Sequence, residues 1–338
     1  MKVVNFCGSR FTEMRGDWER IYFLVMKTFH TLGYEVRVSP YLEFPENLLP
    51  EYAIVGIEDN CEHIYIYNHT YKELVKKNNF LGKKTFFLKP TGPNGNCFTI
   101  DPEGFAAASS ITYKEPYYHS LKVGNFFTTV VDNIIKTKAH KWENRTDIVL
   151  DSSQDVVLPQ NYTLVIGQMP ADSTVQEMSF GDHWEKFKAI VLNLLEYSSL
   201  PVVVKLHPSL LHESREFTQL FERYQRDIAL FKDRGAIVLS GFLNLHEVLP
   251  AARVVIVENS TAGIDALFHQ KPVISYGYPE YHWVTKDLRH LQQLATFVDD
   301  ISWYDREKAN KWLYWYYTKY LCKSGEDVYN LLKEYLEP

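Results

Sequence analysis

Short apolar runs alternate with an amphipathic segment in the first part of the chain. Residues 17–32 repeat apolar positions every three or four residues and predict a helix that Asp17 caps and Gly33 ends. The apolar runs, rich in β-branched and aromatic residues, predict buried strands. These strand candidates are KVVNFC (2–7), YEVRVS (34–39), YAIVGI (52–57), HIYIYN (63–68) and KKTFFLK (83–89). Such alternation is typical of a parallel sheet covered by helices.

The middle of the chain lacks this regularity. Residues 91–118 contain the Gly- and Pro-rich stretch PTGPNGN and predict irregular structure, whereas residues 123–138 predict a helix. Residues 139–161 are polar and have no strong period. We interpret them as a linker, with a domain boundary near residue 155.

The second half repeats the alternation more cleanly. The predicted strands are YTLVIGQ (162–168), PVVVKLH (201–207), AIVLSG (236–241), RVVIVEN (253–259) and PVISYG (272–277), and the predicted helices are 183–198, 213–232, 244–252, 261–270 and 305–336. The pattern predicts an α/β fold with two Rossmann-like domains facing across a cleft. We place the domains at 1–155 and 156–304, with 305–338 packing back on the first domain. Ligands in such sheets bind beyond the carboxyl ends of the strands.

Composition narrows the function classes. The 338 residues are 46% hydrophobic and carry a net charge of −6, which favours a large core and argues against a general nucleic-acid binder. The four cysteines have no CxxC spacing, so they indicate a reducing compartment and no zinc site. We see no signal-peptide pattern and no apolar run long enough to span a membrane, so we expect a cytoplasmic protein.

Three loops at the carboxyl ends of second-half strands are polar. They contain Gln168, Asp172 and Ser173 in GQMPADS, Lys205 and His207 in KLHP, and Glu258, Asn259, Ser260, Thr261 and Gly263 in ENSTAG. Each loop has an ordinary structural explanation, since Ser and Thr caps are common and strand-end charges are usually solvated. A helix end, a Lys–His pair and a carboxylate at one sheet edge together predict a site for an anion.

The segment from about residue 163 to 290 resembles the bacterial capsule polysaccharide β-Kdo transferases. The resemblance rests on VIGQMPADS, VVVKLHPSLL and VENSTAGIDALFHQKPVISYGYPEYHWVTKD, in that order. It departs from the family at EYHWVTKD, where the family often has a Gly-rich step, and no motif is recognised in the first half. These enzymes are retaining, GT-B-like transferases that use CMP-Kdo. The resemblance therefore implies a nucleotide-sugar donor and a saccharide or glycolipid acceptor.

Residue roles follow only from the resemblance. It implies that Asp172 is the nucleophile of a double displacement, and that Lys205 and His207 contact the phosphate of CMP or the carboxylate of the sugar. Gln168 would orient Asp172 or the donor. Glu258 would accept from ribose or cytosine.

The remaining third-loop residues would bind the donor. Ser260 and Thr261 would hold the phosphate at a helix end. Asn259, Gly263 and Ser173 complete the expected donor-binding set.

Two further expectations concern metals and membranes. The chain contains no Asp-x-Asp pair, so we predict no metal, and we predict no cofactor besides the donor substrate CMP-Kdo. The aromatic and basic segment REKANKWLYWYYTKY (306–320) admits two interpretations, a core helix or peripheral contact with the inner membrane surface.

Two alternative functions stay open on the sequence. One is a GT-B transferase with another donor, CMP-sialic acid or an NDP-hexose. The other is a nucleotide-sugar binding module without turnover.

Overall fold

A computed structural model describes most of the chain. The described residues are 2–8, 17–40, 62–67, 84–93, 97–139, 157–170, 172–176, 178–179, 181–207, 210, 218–239 and 243–336. They form two compact units, one of Met1–Lys114 with Tyr316–Pro338 and one of Glu115–Trp315. The boundaries expected near residues 155 and 304 stay predictions.

The secondary structure follows the predicted alternation. The strands are β1 Lys2–Gly8, β2 Glu35–Pro40, β3 Glu62–Tyr67, β4 Lys84–Pro90, β5 Phe98–Asp101, β6 Tyr162–Ile166, β7 Val202–Lys205, β8 Ile237–Leu239, β9 Ala252–Val257, β10 Val273–Ser275 and β11 Lys286–Asp287. The α-helices are α1 Asp17–Thr31, α2 Ser110–Tyr113, α3 Asp132–Lys136, α4 Ser173–Gln176, α5 His183–Tyr197, α6 Thr218–Asp233, α7 Leu245–Val248, α8 Ala262–Phe268, α9 Leu294–Asp299, α10 Arg306–Trp315 and α11 Gly325–Leu336. Phe127–Val131 and Tyr316–Tyr320 are π-helical turns.

The first unit contains a five-stranded sheet in the order β2-β1-β3-β4-β5. Strands β1 to β4 are parallel, and β5 runs antiparallel to β4. Strand β5 corrects the expectation that residues 91–118 are irregular, because its short buried run gains its ladder only from pairing with β4. The strand candidate at 52–57 lies outside the described residues.

Aromatic side chains fill the core of the first unit. Phe6 and Phe29 are buried with their rings edge to face at 6.2 Å, which joins β1 to α1. Val328 and Leu332 of α11 belong to the same core. The end of the chain is therefore an integral part of the first unit.

One buried carboxylate organises the loop after β5. Oδ1 of Asp101 accepts from the backbone N–H groups of Glu103 at 2.9 Å, Gly104 at 3.2 Å and Ser110 at 2.9 Å. Oδ2 accepts from the Ser110 hydroxyl at 2.6 Å and the Tyr320 hydroxyl at 2.8 Å. The carboxylate thus connects the loop and the C-terminal segment within this unit.

The second unit contains a six-stranded, fully parallel sheet in the order β11-β10-β9-β6-β7-β8. Strands β6, β7 and β9 are buried almost throughout, as expected for central strands of a sheet with helices on both faces. Phe187, Ile190 and Leu194 of α5 pack in the same core.

The C-terminal aromatics favour the core interpretation of residues 306–320. Trp312 is fully buried, and its ring lies 6.4 Å from that of Tyr281 within the second unit. Tyr316 and Tyr320 are buried within the first unit. Membrane contact by this segment stays a prediction. Within the described residues, no helix is both long and apolar enough to cross a bilayer.

We expect Asp101→Ala to destabilise the first unit by about 3 kcal/mol or more, because five donors lose their buried acceptor. Tyr320→Phe removes only one of these donors and should cost about 1 kcal/mol. Urea unfolding of the full chain measures both changes. Equal losses in the two variants would contradict this account of the loop.

Candidate functional site

The candidate site lies at the carboxyl edge of the second sheet. Strands β10, β9, β6 and β7 are neighbours in this sheet and all point the same way, so the loops that follow them leave from one edge. Ile166 and Lys205 are register partners, and the Gly167 N–H donates to the Lys205 carbonyl at 2.9 Å. The strand order therefore brings the three predicted loops together.

Two buried amides connect the first loop to the third. Gln168 Nε2 donates to Asn259 Oδ1 at 2.7 Å, and the Asn259 backbone N–H donates to Gln168 Oε1 at 2.9 Å. Asn259 Nδ2 then donates to the Thr174 carbonyl at 3.2 Å. The predicted role of Gln168 in orienting Asp172 or the donor stays a prediction; the amide contacts make it a bridge between loops.

Asp172 is exposed and caps the helical turn α4. Its Oδ1 accepts from the Thr174 N–H at 2.8 Å and from the Thr174 hydroxyl at 2.6 Å. Its carbonyl accepts from the N–H groups of Val175 and Gln176 at 2.9 Å. The helical turn begins at Ser173, so the expected nucleophile has a fixed backbone and a solvent-accessible side chain.

Lys205 ends β7 and is almost fully buried, with 6% of its surface exposed. Burial lowers the pKa of its ammonium group from 10.5 to about 8. His207 follows two residues later and is half-buried. At neutral pH the ammonium group remains protonated, so the fold maintains a cation at this edge at a cost in stability.

Glu258 follows β9 and is fully buried. Its Oε2 binds His183 Nδ1, and its Oε1 accepts from Lys186 Nζ. Burial by itself raises the pKa of this carboxyl group, but His183 and Lys186 outweigh burial and hold the pKa below its usual range. A contact between Glu258 and ribose or cytosine stays a prediction, and both carboxylate oxygens already have a protein partner.

His183 and Lys186 are not among the residues that the sequence motifs predicted. They are three residues apart in the first turn of α5, so both side chains lie on one face of that helix. The available sequence signal was a His and a Lys three residues apart at the start of a predicted helix. That helix follows the loop that contains Gln168 and Asp172.

The third loop leads into the seven-residue helix α8. Ser260 Oγ accepts from the Ala262 N–H at 3.2 Å, so Ser260 supplies the side-chain cap, whereas Thr261 makes none. A Cβ atom at Gly263 would overlap the phenol ring of Tyr281, whose hydroxyl donates to the Ser260 carbonyl. The capping and packing roles are structural; phosphate binding by these residues stays a prediction.

Metal ligation has no evident place in the described part of the chain. No group of three or more His, Cys, Asp or Glu side chains there is arranged to hold a metal ion.

The sequence matches the family model described as capsule polysaccharide biosynthesis protein over residues 103–325, about two thirds of the chain. The chain belongs to this family. The matched segment includes every predicted site residue from Gln168 to Gly263. No curated protein matches the sequence.

A solved structure confirms the α/β, GT-B-like fold class. The chain is similar to the β-Kdo 2,4 transferase KpsC of Thermosulfurimonas dismutans, with a TM-score of 0.55 at 16% identity over 98% of this chain and 97% of that one. The β-Kdo 2,7 transferase KpsC of the same organism gives a TM-score of 0.46 at 14% identity, covering 87% and 88% of the two chains. A glycosyltransferase from Rickettsia africae gives 0.49 at 10% identity, covering 99% and 98%. At 16% identity the likeness to the 2,4 transferase establishes the fold alone.

We expect Lys205→Met to stabilise the free protein at pH 7 by on the order of 2–3 kcal/mol, because the fold no longer buries a cation whose pKa burial lowers to about 8. Between pH 8 and 10.5 the unfolded wild-type chain binds more protons than the folded one, so wild-type stability rises with pH there. The advantage of the Met variant should therefore shrink over that range. Urea unfolding at pH 7 and pH 10 measures it, and a pH-independent difference would contradict the burial argument.

Proposed function

We propose that the protein is a glycosyltransferase of capsule polysaccharide synthesis that transfers Kdo from CMP-Kdo to a saccharide or glycolipid acceptor with retention of configuration. One observation supports the proposal above all: the exposed Asp172, in the loop after β6, and the buried Lys205, the last residue of the neighbouring strand β7, lie at the same edge of a parallel sheet. Family membership supports the link to capsule synthesis.

The charges support a donor with a single phosphate. Lys205 is a cation whose burial is unfavourable, and a bound phosphate would offset that cost through charge-assisted hydrogen bonds. His207 lies two residues away and supplies a second donor when protonated. The phosphodiester of CMP-Kdo carries a single negative charge and needs less charge compensation than a diphosphate, so the proposal involves no metal.

The nucleophile is Asp172. One carboxylate oxygen attacks the anomeric carbon of Kdo, and the bond from that carbon to the CMP phosphate oxygen breaks with its electron pair remaining on the phosphate. The acceptor hydroxyl oxygen then attacks the same carbon, loses its proton to a base, and displaces the Asp172 carboxylate. Two inversions give net retention.

We propose that the enzyme works in the cytoplasm, where CMP-activated sugars meet lipid-linked or free saccharide acceptors. The net charge of −6 supports substrates other than nucleic acid.

We expect CMP to raise the melting temperature of the protein in the presence of EDTA, since binding to the folded state alone stabilises it by mass action. Lys205→Met should abolish most of that shift, because it removes the buried cation from the phosphate site. Differential scanning fluorimetry with CMP, UDP and GDP measures the effect. Stabilisation by UDP or GDP without CMP would favour another nucleotide-sugar donor.

We expect Asp172→Asn to retain donor binding and the fold, because Asn caps a helix as well as Asp does, yet to lose almost all transfer. Incubating the wild type with CMP-Kdo and a slow acceptor should give an adduct one Kdo unit heavier. Intact-protein and peptide mass spectrometry locate that adduct.

Thr174→Val is a matched variant for this test, since it removes a hydrogen bond to Asp172 but leaves the carboxylate. It should reduce transfer far less than Asp172→Asn. A near-normal rate in Asp172→Asn, or an adduct on another residue, would exclude Asp172 as the nucleophile. Donor binding without any turnover in the wild type would favour a binding module.

A further inference from the structure

A buried ionic cluster lies beside the candidate site, where α5 begins and β9 ends. Glu258 is fully buried, His183 is 5% exposed, and Lys186 is half-buried. The carboxylate of Glu258 binds His183 Nδ1 through one oxygen and Lys186 Nζ through the other. Asp182 fixes the start of the helix, because its side chain accepts from the Glu185 N–H at 3.1 Å. The imidazole of His183 is therefore held firmly in place.

These contacts determine the tautomer of His183. An ionised carboxylate only accepts hydrogen bonds, so the imidazole proton that it binds is on Nδ1. The charge of Glu258 is already balanced by Lys186, so a neutral imidazole leaves the buried cluster without net charge. Nε2 then carries a lone pair and acts as a hydrogen-bond acceptor.

Nε2 of His183 is buried and has no hydrogen-bond partner among the residues that the structure describes. Native proteins rarely leave such an atom unpaired, because its lost hydration is not replaced. The Tyr276 hydroxyl, just after β10, is also buried and has no hydrogen-bond partner within the described part of the chain. Lys186 Nζ lies 6.0 Å from the centre of the Tyr276 ring, which places both unpaired groups around the same ion pair.

The backbone after β10 also packs closely against Glu258. A Cβ atom at Gly277 would lie 2.7 Å from Glu258 Cγ, so no side chain larger than hydrogen fits there. The backbone after β10 therefore packs against Glu258, and His183 is the member of the pair whose second polar atom has no partner among the described residues.

We propose that His183 contacts the ligand directly: its Nε2 accepts a hydrogen bond from a hydroxyl or amino group of the nucleoside part of the donor. Glu258 and Lys186 are positioning residues that fix the ring and its tautomer. Ionised phosphate and carboxylate groups have no hydrogen to donate to this lone pair. His183 therefore contacts the uncharged part of the ligand, whereas Lys205 contacts the phosphate. This inference rests on the proposed function and deepens it.

The direct test is nitrogen NMR of the full chain labelled at its 12 histidines, with His183 assigned by substitution. Before ligand is added, His183 should show a protonated Nδ1 and a pyridine-like Nε2. Saturating CMP should move the Nε2 resonance in the direction of hydrogen-bond acceptance. UMP and deoxy-CMP distinguish the donors, since UMP lacks the base amino group and deoxy-CMP lacks one ribose hydroxyl.

Substitution provides an independent readout. His183→Asn retains an amide near the Nδ1 position, which can still donate to Glu258, but removes Nε2. CMP should bind this variant roughly tenfold more weakly, as expected for one lost hydrogen bond to a ligand. His290→Asn is the matched control, because His290 is exposed and outside the cluster, and it should leave CMP affinity unchanged.

The results of these two experiments test the His183 contact and the proposed function separately. CMP binding that leaves the Nε2 resonance and the His183→Asn affinity unchanged overturns this inference and leaves the proposed function standing. A resting tautomer protonated on Nε2 also overturns it. Failure of every nucleotide to bind the wild type overturns the proposed function and this inference together. If His183→Asn does not fold, the same measurements on Glu258→Gln test the inference. An amide partner should shift the tautomer of His183 and weaken CMP binding, and an unchanged tautomer and affinity would overturn the inference.

Discussion

The reciprocal hydrogen bonds between Gln168 and Asn259 are the interaction on which the candidate site depends. They join the loops after β6 and β9, and the Asn259 amide extends the connection to the turn that Asp172 caps. Both side chains are buried, so each amide left unpaired would lose stability. The position of the exposed carboxylate is therefore set by neutral amides, which hold their geometry at any pH at which the protein folds.

Two charged side chains, Glu258 and Lys205, are buried at the same edge of the second sheet in different surroundings. Glu258 is buried together with its counter-ion Lys186 and with His183, whose Nδ1 binds the other carboxylate oxygen, which makes the cluster nearly neutral and rigid. Lys205 is buried at the end of a strand, where burial lowers the pKa of its ammonium group. The first arrangement stabilises the loop after β9, whereas the second maintains a buried cation at the end of β7. Groups whose pKa is strongly perturbed by burial are common at functional sites.

The first unit also depends on a buried hydrogen-bond acceptor. Asp101 accepts five hydrogen bonds, including one from Tyr320 more than two hundred residues later. It makes the C-terminal segment part of the first unit, where Val328 and Leu332 complete the core. The family match covers residues 103–325 and so includes Tyr320 but not Asp101.

The sequence by itself determined the alternation of strands and helices, because hydrophobic periodicity reports which face of each segment is buried. It also located the polar loops at strand ends and carried the motifs of the capsule family. It did not reveal strand β5, whose ladder depends on pairing with β4, nor the partners of Glu258, which lie 75 and 72 residues away. It assigned Gly263 to ligand binding, whereas the fold also requires a glycine there to admit the ring of Tyr281. Local sequence patterns specify which residues are buried and which backbone conformation they adopt. Strand order and loop packing decide which polar groups come into contact, and only the tertiary structure contains that information.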